Sequence, residues 1–266
     1  MPAIEISRLR TKISLLTRLI DTPDELVREL LQFYESYSDL TFQSGTFSVR
    51  AGDYPAFRTP TLMNREIETA FAKFATTDPQ KTIELIDLLA KCPQVEPRQL
   101  ACAMLGTLPP GNYPQVTQRL DTWSHATEEP EDLIWMFDRG TKGIRREQPE
   151  LWLKMLQNWL EANNAKSQSI AVYGLSSMIN DTDLTSLPLI FKYLQPLLVE
   201  ANPRIIPHLE TIVVRLIEKS EKETLYFLKQ TLRQSTSPVL HRMIRLSLPL
   251  FSPEGQESLK SFLRAL

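Results

Sequence analysis

The sequence is poor in cysteine and glycine, and each shortage argues against a class of protein. Only two cysteines occur in 266 residues, Cys92 and Cys102. This excludes a disulfide scaffold and a cysteine-based zinc module, and it suits a reducing cytoplasm. Eight glycines disfavour Rossmann and P-loop proteins, which need glycine-rich phosphate loops. The three histidines are scattered, with no carboxylate or cysteine at metal-ligand spacing, so we expect neither a metal ion nor a cofactor.

The sequence also lacks a long apolar run. Apolar stretches are short, and two of them, 187–191 and 196–199, are separated by Lys192 and Gln195, whereas a membrane span needs about 20 apolar residues. The first six residues have no apolar segment with basic flanks, so a secretory signal is not expected. An apolar content of 42% is enough to bury a core. We therefore expect a folded cytoplasmic protein that does not contact membranes.

Proline, in contrast, is frequent, and its positions predict where helices begin. Proline fits the first helical turn because its missing N–H would be unpaired there. A preceding Thr, Asp, Asn or Ser can cap that turn, and Thr22-Pro-Asp-Glu25 reads as a capping box. The proline pairs are Thr22-Pro23, Thr59-Pro60, Asp78-Pro79, Glu96-Pro97, Glu129-Pro130, Gln148-Pro149, Asn202-Pro203, Ser237-Pro238 and Ser252-Pro253.

The proline spacing predicts a helical repeat. From Pro60 to Pro130 the successive steps through Pro79, Pro97 and Pro114 are 19, 18, 17 and 16 residues. One helix with its turn thus takes about 18 residues and a helix pair about 36, which is typical of HEAT and armadillo solenoids. The apolar residues between these breaks follow the helical period, as at 209–217. We find no convincing strand.

These patterns together predict an all-α fold, a right-handed α–α superhelix of the HEAT or armadillo kind. We expect one domain over residues 1–266. Residues 39–58, with Ser44-Gly45-Thr46 and Ala51-Gly-Asp-Tyr-Pro55, are expected to form a long irregular loop, either a functional flap or a wrapping loop.

One segment resembles a known family. Glu96-Pro-Arg-Gln-Leu-Ala-Cys-Ala-Met-Leu-Gly106 is similar to the E-x-R-x-x-A-x-x-L-L helix of the DNA alkylation repair family, with Met104 in place of the first Leu. Segments 133–139, 148–152 and 239–248 fit the same pattern, so the resemblance covers about residues 60–250. It implies a HEAT-like solenoid, and the characterised members are DNA glycosylases that remove alkylated purines.

The resemblance also implies candidate catalytic residues. The family places an Asp near a Trp on one helix, where the Asp stabilises the cationic sugar as the base leaves. Asp138 and Trp135 match this arrangement, three positions apart where the family has four. Two helices later the family has paired arginines, and here Gln168 and Ser169 follow Asn164 at that place. We therefore expect little or no glycosylase activity.

Two groups of basic residues are candidate contacts for DNA phosphates. The denser group consists of Arg139, Lys142, Arg145 and Arg146. It could bind phosphate or could be a solvated helix end. If the helix continues past Gly140, Asp138 could instead pair with Lys142 or Arg145. The smaller group consists of Arg242 and Arg245, beside His241.

Basic residues outnumber acidic residues on one face of the predicted repeat. If Asp138 faces inward, the inner segments are 97–113, 130–148, 164–181, 203–220 and 238–252. They carry 11 basic and 7 acidic residues. Such a concave face suits duplex DNA, although a protein ligand would fit as well.

The first hypothesis is a duplex-DNA binder with weak or no glycosylase activity. The alternatives are a protein-interaction scaffold and an active glycosylase for cationic alkylpurines.

Overall fold

A computed structural model describes residues 5–38, 55–162, 164–179, 181, 187–200, 202–235 and 237–265. These residues are helices and connecting turns, with no strand among them. The predicted all-α class is therefore confirmed. The expected irregular loop at 39–58 lies outside the described residues, except for 55–58, which are not helical.

The chain divides into two compact units, Met1–Gln148 and Pro149–Leu266. The helices of the first unit are α1 Ile6–Thr17, α2 Pro23–Ser36, α3 Thr61–Thr77, α4 Pro79–Leu89, α5 Val95–Leu105, α6 Tyr113–Ala126, α7 Pro130–Gly140 and α8 Lys142–Glu147. Those of the second are α9 Pro149–Glu161, α10 Ala165–Met178, α11 Leu187–Val199, α12 Ile206–Lys219, α13 Glu221–Gln234, α14 Pro238–Ser247 and α15 Pro253–Ala265. The single-domain solenoid stays a prediction.

Helices that are two apart in the chain pack side by side within each unit. In the first unit α1 contacts α3, α3 contacts α5, and α5 contacts α7, while α2 contacts α4. In the second unit α10, α12 and α14 form one row, and α11, α13 and α15 form another. The helices of the predicted inner segments are therefore neighbours, α5 with α7 in one unit and α10, α12 and α14 in the other.

Most of the prolines that the sequence singled out stand at the first residue of an α-helix. Helices α2, α4, α7, α9, α14 and α15 each begin at a proline that the sequence singled out. Asp78 also caps α4 as expected, accepting a hydrogen bond from the Lys81 amide at 3.2 Å. The predicted capping box at Thr22 is wrong, because Thr22 makes no cap and its hydroxyl donates to the Leu19 carbonyl at 3.3 Å.

Glycines bring α5 and α7 unusually close together. A Cβ added at Gly106 would overlap the carbonyl oxygen of Arg139, and one at Gly143 would lie 2.8 Å from the Gly106 carbonyl oxygen. A Cβ at Gly140 would meet Leu120 at 3.4 Å. The backbone at the end of α5 therefore approaches α7 and α8 where only hydrogen atoms fit, and this contact fixes both helices against α5.

Candidate nucleic-acid interface

The two catalytic candidates on α7 have different environments. Trp135 is buried, and the Arg98 guanidinium of α5 lies 5.7 Å from its ring centroid. Asp138 is exposed to solvent. One face of the helix thus turns Trp135 towards α5, whereas Asp138 lies on the surface.

Beside Trp135 lies a buried ion pair that sequence reasoning missed. Arg98 donates to the Asp132 carboxylate at 2.5 Å, and Asp132 is 1% exposed. The Thr127 hydroxyl donates to the same carboxylate oxygen at 2.7 Å. Because an unpaired buried carboxylate would be costly, the two donors stabilise Asp132 in its buried position. Arg98 lies in segment 96–106, at the arginine of the E-x-R pattern that this segment resembles. That match was the sequence signal that could have identified Arg98 as a site residue.

The basic group at the end of α7 is largely occupied within the protein. Arg139 forms an ion pair with Glu68 of α3, and Arg146 pairs with Glu147 at 2.8 Å. Lys142 is exposed and has no partner among the described residues. Of the four residues, Lys142 alone therefore presents an uncompensated charge to solvent.

Arg145 does not have the environment that a phosphate contact requires. It is 3% exposed, and its guanidinium donates to the Phe137 carbonyl and the Thr141 hydroxyl. The helix is interrupted at Thr141, and the turn directs Arg145 back onto the end of α7. A cation at that position stabilises the last carbonyls of a helix. Its role in the structure is thus to cap α7, which corrects the surface position that the sequence predicted.

The last turn of α8 is further anchored through Glu147. The Tyr113 hydroxyl donates to its carboxylate at 3.1 Å. Hydrogen bonds from Arg146 and then Tyr113 lower the pKa of Glu147. Burial, and then the hydrogen bond to Glu147, raise the pKa of Tyr113 to about 12. Near neutral pH the Glu147 carboxyl is therefore ionised and the Tyr113 phenol is protonated. The Glu147 carboxylate thus compensates part of the positive charge of the basic group.

The second basic group, on α14, is arranged differently. Arg242 and Arg245 are both exposed, and neither has an ion-pair partner among the described residues. Together with His241 and Leu246 they line a surface cavity of about 440 Å³. Since positions three apart lie on one helix face, both guanidinium groups are available to the same ligand.

The row that contains α14 carries a net positive charge. Helices α10, α12 and α14 carry five Lys or Arg residues against two Glu residues. Neither α10 nor α14 carries a carboxylate. The row α1, α3, α5 and α7 is instead balanced, with seven basic and six acidic residues. The basic row is thus in the second unit, and the densest basic segment of the sequence is not part of it.

Polar contacts join α10 to α12 within that row. The Tyr173 hydroxyl and His208 Nδ1 are 2.7 Å apart, and Arg215 donates to the Ser176 hydroxyl at 2.9 Å. Burial, and then the nearby charge of Lys166, lower the pKa of His208. The imidazole is therefore neutral at pH 7. These contacts fix the register of two helices in the basic row.

The residues at the place of the family's paired arginines do not supply a phosphate clamp. Ser169 is buried, and its hydroxyl donates to the Ala165 carbonyl at 2.8 Å within α10. Gln168 is half-buried and lines a cavity of about 740 Å³ with Lys192 and Tyr193 of α11. Neither side chain carries charge, and neither can bind a phosphate bidentately.

Within the described part of the chain, no helix is both long and apolar enough to span a bilayer. In the same part, no three His, Cys, Asp or Glu side chains come together as a metal site would require. Comparisons with known protein families, with curated proteins and with solved structures find no match to this chain.

Proposed function

We propose that the protein binds the phosphate backbone of duplex DNA through α14, a helix of the row α10, α12 and α14, with little or no base excision. The observation that carries the proposal is the pair Arg242 and Arg245, exposed and without an ion-pair partner among the described residues. Phosphate contacts of this kind position a protein on DNA and carry no sequence information. Binding is therefore expected to be independent of sequence.

The charge balance of the row supports this assignment. With no carboxylate on α10 or α14, nothing on these helices competes with phosphate for the arginines. The basic residues of α7 and α8 are less available to phosphate, because Arg139 and Arg146 are paired and Arg145 is buried. The proposed contact set therefore stays within the second unit.

We also propose that the helix rows of each unit are turns of a right-handed α–α superhelix of the HEAT or armadillo kind. The side-by-side packing of helices two apart in the chain supports it. The resemblance of 96–106 to the DNA alkylation repair family supports a role on DNA. The two cysteines are both free thiols, which supports a cytoplasmic place of action.

The first prediction tests the arginine pair directly. Arg242→Ala with Arg245→Ala is expected to weaken duplex binding at least tenfold at low salt. The slope of log affinity against log salt should flatten by about 1 to 2 units, because each lost phosphate contact removes about 0.9. The measurement is fluorescence anisotropy of a labelled 20-base-pair duplex over a salt series.

A matched control carries the same charge change elsewhere. Lys222 on α13 and Arg264 on α15 are exposed and without partners among the described residues. Lys222→Ala with Arg264→Ala should change the slope by less than half as much. Equal effects of the two double variants would contradict the proposal, since only net charge would then matter.

One observation favours a second candidate, a scaffold that binds an acidic protein. Leu246 and Leu250, next to the arginines, are 60% and 49% exposed, and apolar side chains contribute little to phosphate contacts. Leu246→Ser with Leu250→Ser should change DNA affinity less than twofold if DNA is the ligand. A scaffold predicts instead no measurable DNA binding at 150 mM salt and Leu-dependent binding of an acidic amphipathic peptide.

A further inference from the structure

The first unit contains a small cavity that the proposed DNA contact does not use. It measures about 160 Å³ and lies where the ends of α4 and α6 meet α5 and α7. Two of the four tryptophans of the chain, Trp123 and Trp135, contribute to its wall. The cavity is partly open to solvent, so a ligand can reach these indole rings.

The wall of the cavity is aromatic and polarizable. Besides the two indole rings it contains Met136 and Cys102. Burial raises the pKa of Cys102 to about 12, so this wall presents a neutral thiol. A bound water needs two to four polar partners, and a wall of rings and sulfur atoms offers few. An aromatic ring, in contrast, gains contacts with indole faces and with sulfur.

The single charged group of the wall is already neutralised. Arg98 is engaged with Asp132 at 2.5 Å, and Thr127 donates to the same carboxylate oxygen at 2.7 Å. The cavity therefore offers no net charge to a ligand, and a charged ligand would lose its hydration without compensation. The flat guanidinium of Arg98 beside Trp135 adds a planar surface on which a ring can stack.

The volume sets the size of the ligand. An engineered apolar cavity of about 150 Å³ accommodates benzene, and this cavity is of the same order. Trp123 is half-buried and Ala126 is exposed, so the end of α6 forms an entrance. A ligand of one or two fused rings can enter there without opening the core.

We propose that this cavity binds a free, uncharged, planar aromatic molecule of the size of indole. The site is independent of the proposed DNA interface, which lies on α14. A partner's tryptophan side chain shares the same chemistry, but a volume of about 160 Å³ is filled by a small ring system alone. The occupant is therefore a small molecule.

The test is isothermal titration calorimetry of the full-length protein with indole. We expect saturable binding of one indole per chain with a Kd below about 1 mM, a reasonable limit for nine non-hydrogen atoms. Indole-3-carboxylate should bind at least tenfold more weakly, because its charge would have to be desolvated. No saturable heat with indole, or equal binding of the carboxylate, would overturn the proposal.

Two matched variants locate the site. Ala126→Leu places a larger side chain at the entrance and should weaken indole binding at least tenfold. Ala162→Leu adds the same group at an exposed position after α9 and should change it less than twofold. Equal effects of the two substitutions would overturn the assignment to this cavity.

Two further measurements complete the test. Trp123→Ala removes part of the wall at a half-buried position, so it should weaken indole binding while leaving the circular dichroism spectrum unchanged. Unchanged indole affinity in this variant would overturn the proposal. N-acetyltryptophanamide should bind more weakly than indole. Tighter binding of this compound would instead assign the cavity to a partner's side chain.

Discussion

At the scale of single residues, the environment of a charge decides its role more than its position in the sequence. Arg145 and Arg242 are both arginines on short basic helices. Arg145 is buried against the end of α7, whereas Arg242 is exposed without a partner among the described residues. The first stabilises a helix end, and the second is available to a ligand. Only the fold distinguishes the two.

His208 gives a residue-scale prediction about pH. Its pKa is lowered in the folded protein by burial and then by Lys166, whereas in the unfolded chain it is about 6.5. Below that pH the unfolded chain takes up the proton more readily, so the free energy of unfolding falls as the pH falls. In His208→Gln this decline between pH 7 and 5 should be shallower.

The measurement is the urea midpoint of unfolding at pH 5, 6 and 7. His241→Gln on α14 is the control, and it should keep the decline of the unmodified protein. If His208→Gln shows the same pH dependence as the unmodified protein, His208 is not the group responsible.

At the scale of helices, close approach at glycine holds α5 against α7. In Gly106→Ala the added Cβ would overlap the Arg139 carbonyl oxygen. Because the obstacle is backbone, it can yield only by moving a helix. We expect a loss of about 2–4 kcal/mol in the free energy of unfolding, measured by chemical denaturation.

Gly111 supplies the comparison for this prediction. A Cβ there meets nothing within 4 Å, and the residue is exposed. Gly111→Ala should therefore change the free energy of unfolding by no more than about 0.5 kcal/mol. A similar loss in both variants would show that steric overlap at Gly106 is not the cause.

Helix starts could be predicted because proline acts locally. Pro79 and Pro130 begin α4 and α7 through the geometry of their own turn, whatever packs on them. The burial of Arg145 could not be predicted, since it depends on the interruption at Thr141 and on the Phe137 carbonyl. The Arg98–Asp132 pair joins residues 34 positions apart, about one predicted helix pair, and the repeat length does not specify which side chains of the two helices meet.

At the scale of the whole molecule, we predict that DNA binding occurs without base excision. Asp138 is exposed on α7 and could favour a cationic sugar. However, Gln168 and Ser169 provide no cation to hold the substrate, and misplacement by about 1 Å can cost about 10²-fold in rate. The test is single-turnover release of 7-methylguanine from duplex DNA.

The informative comparison is with Asp138→Asn. We expect release to match the spontaneous rate in both proteins. Release well above that rate, lost in Asp138→Asn, would contradict the prediction and identify an active glycosylase.

Helix α10 bears on how the second unit unfolds. Eleven of its 14 residues are buried, in an uninterrupted run from Ser169 to Met178 and at Ser167. A helix without a polar stripe cannot persist in water once its neighbours leave. Losing α12, which packs on it, would thus leave α10 without a stable state. Amide protons of α10 are therefore expected to exchange with solvent only when the unit opens globally, at a common rate set by that rare event.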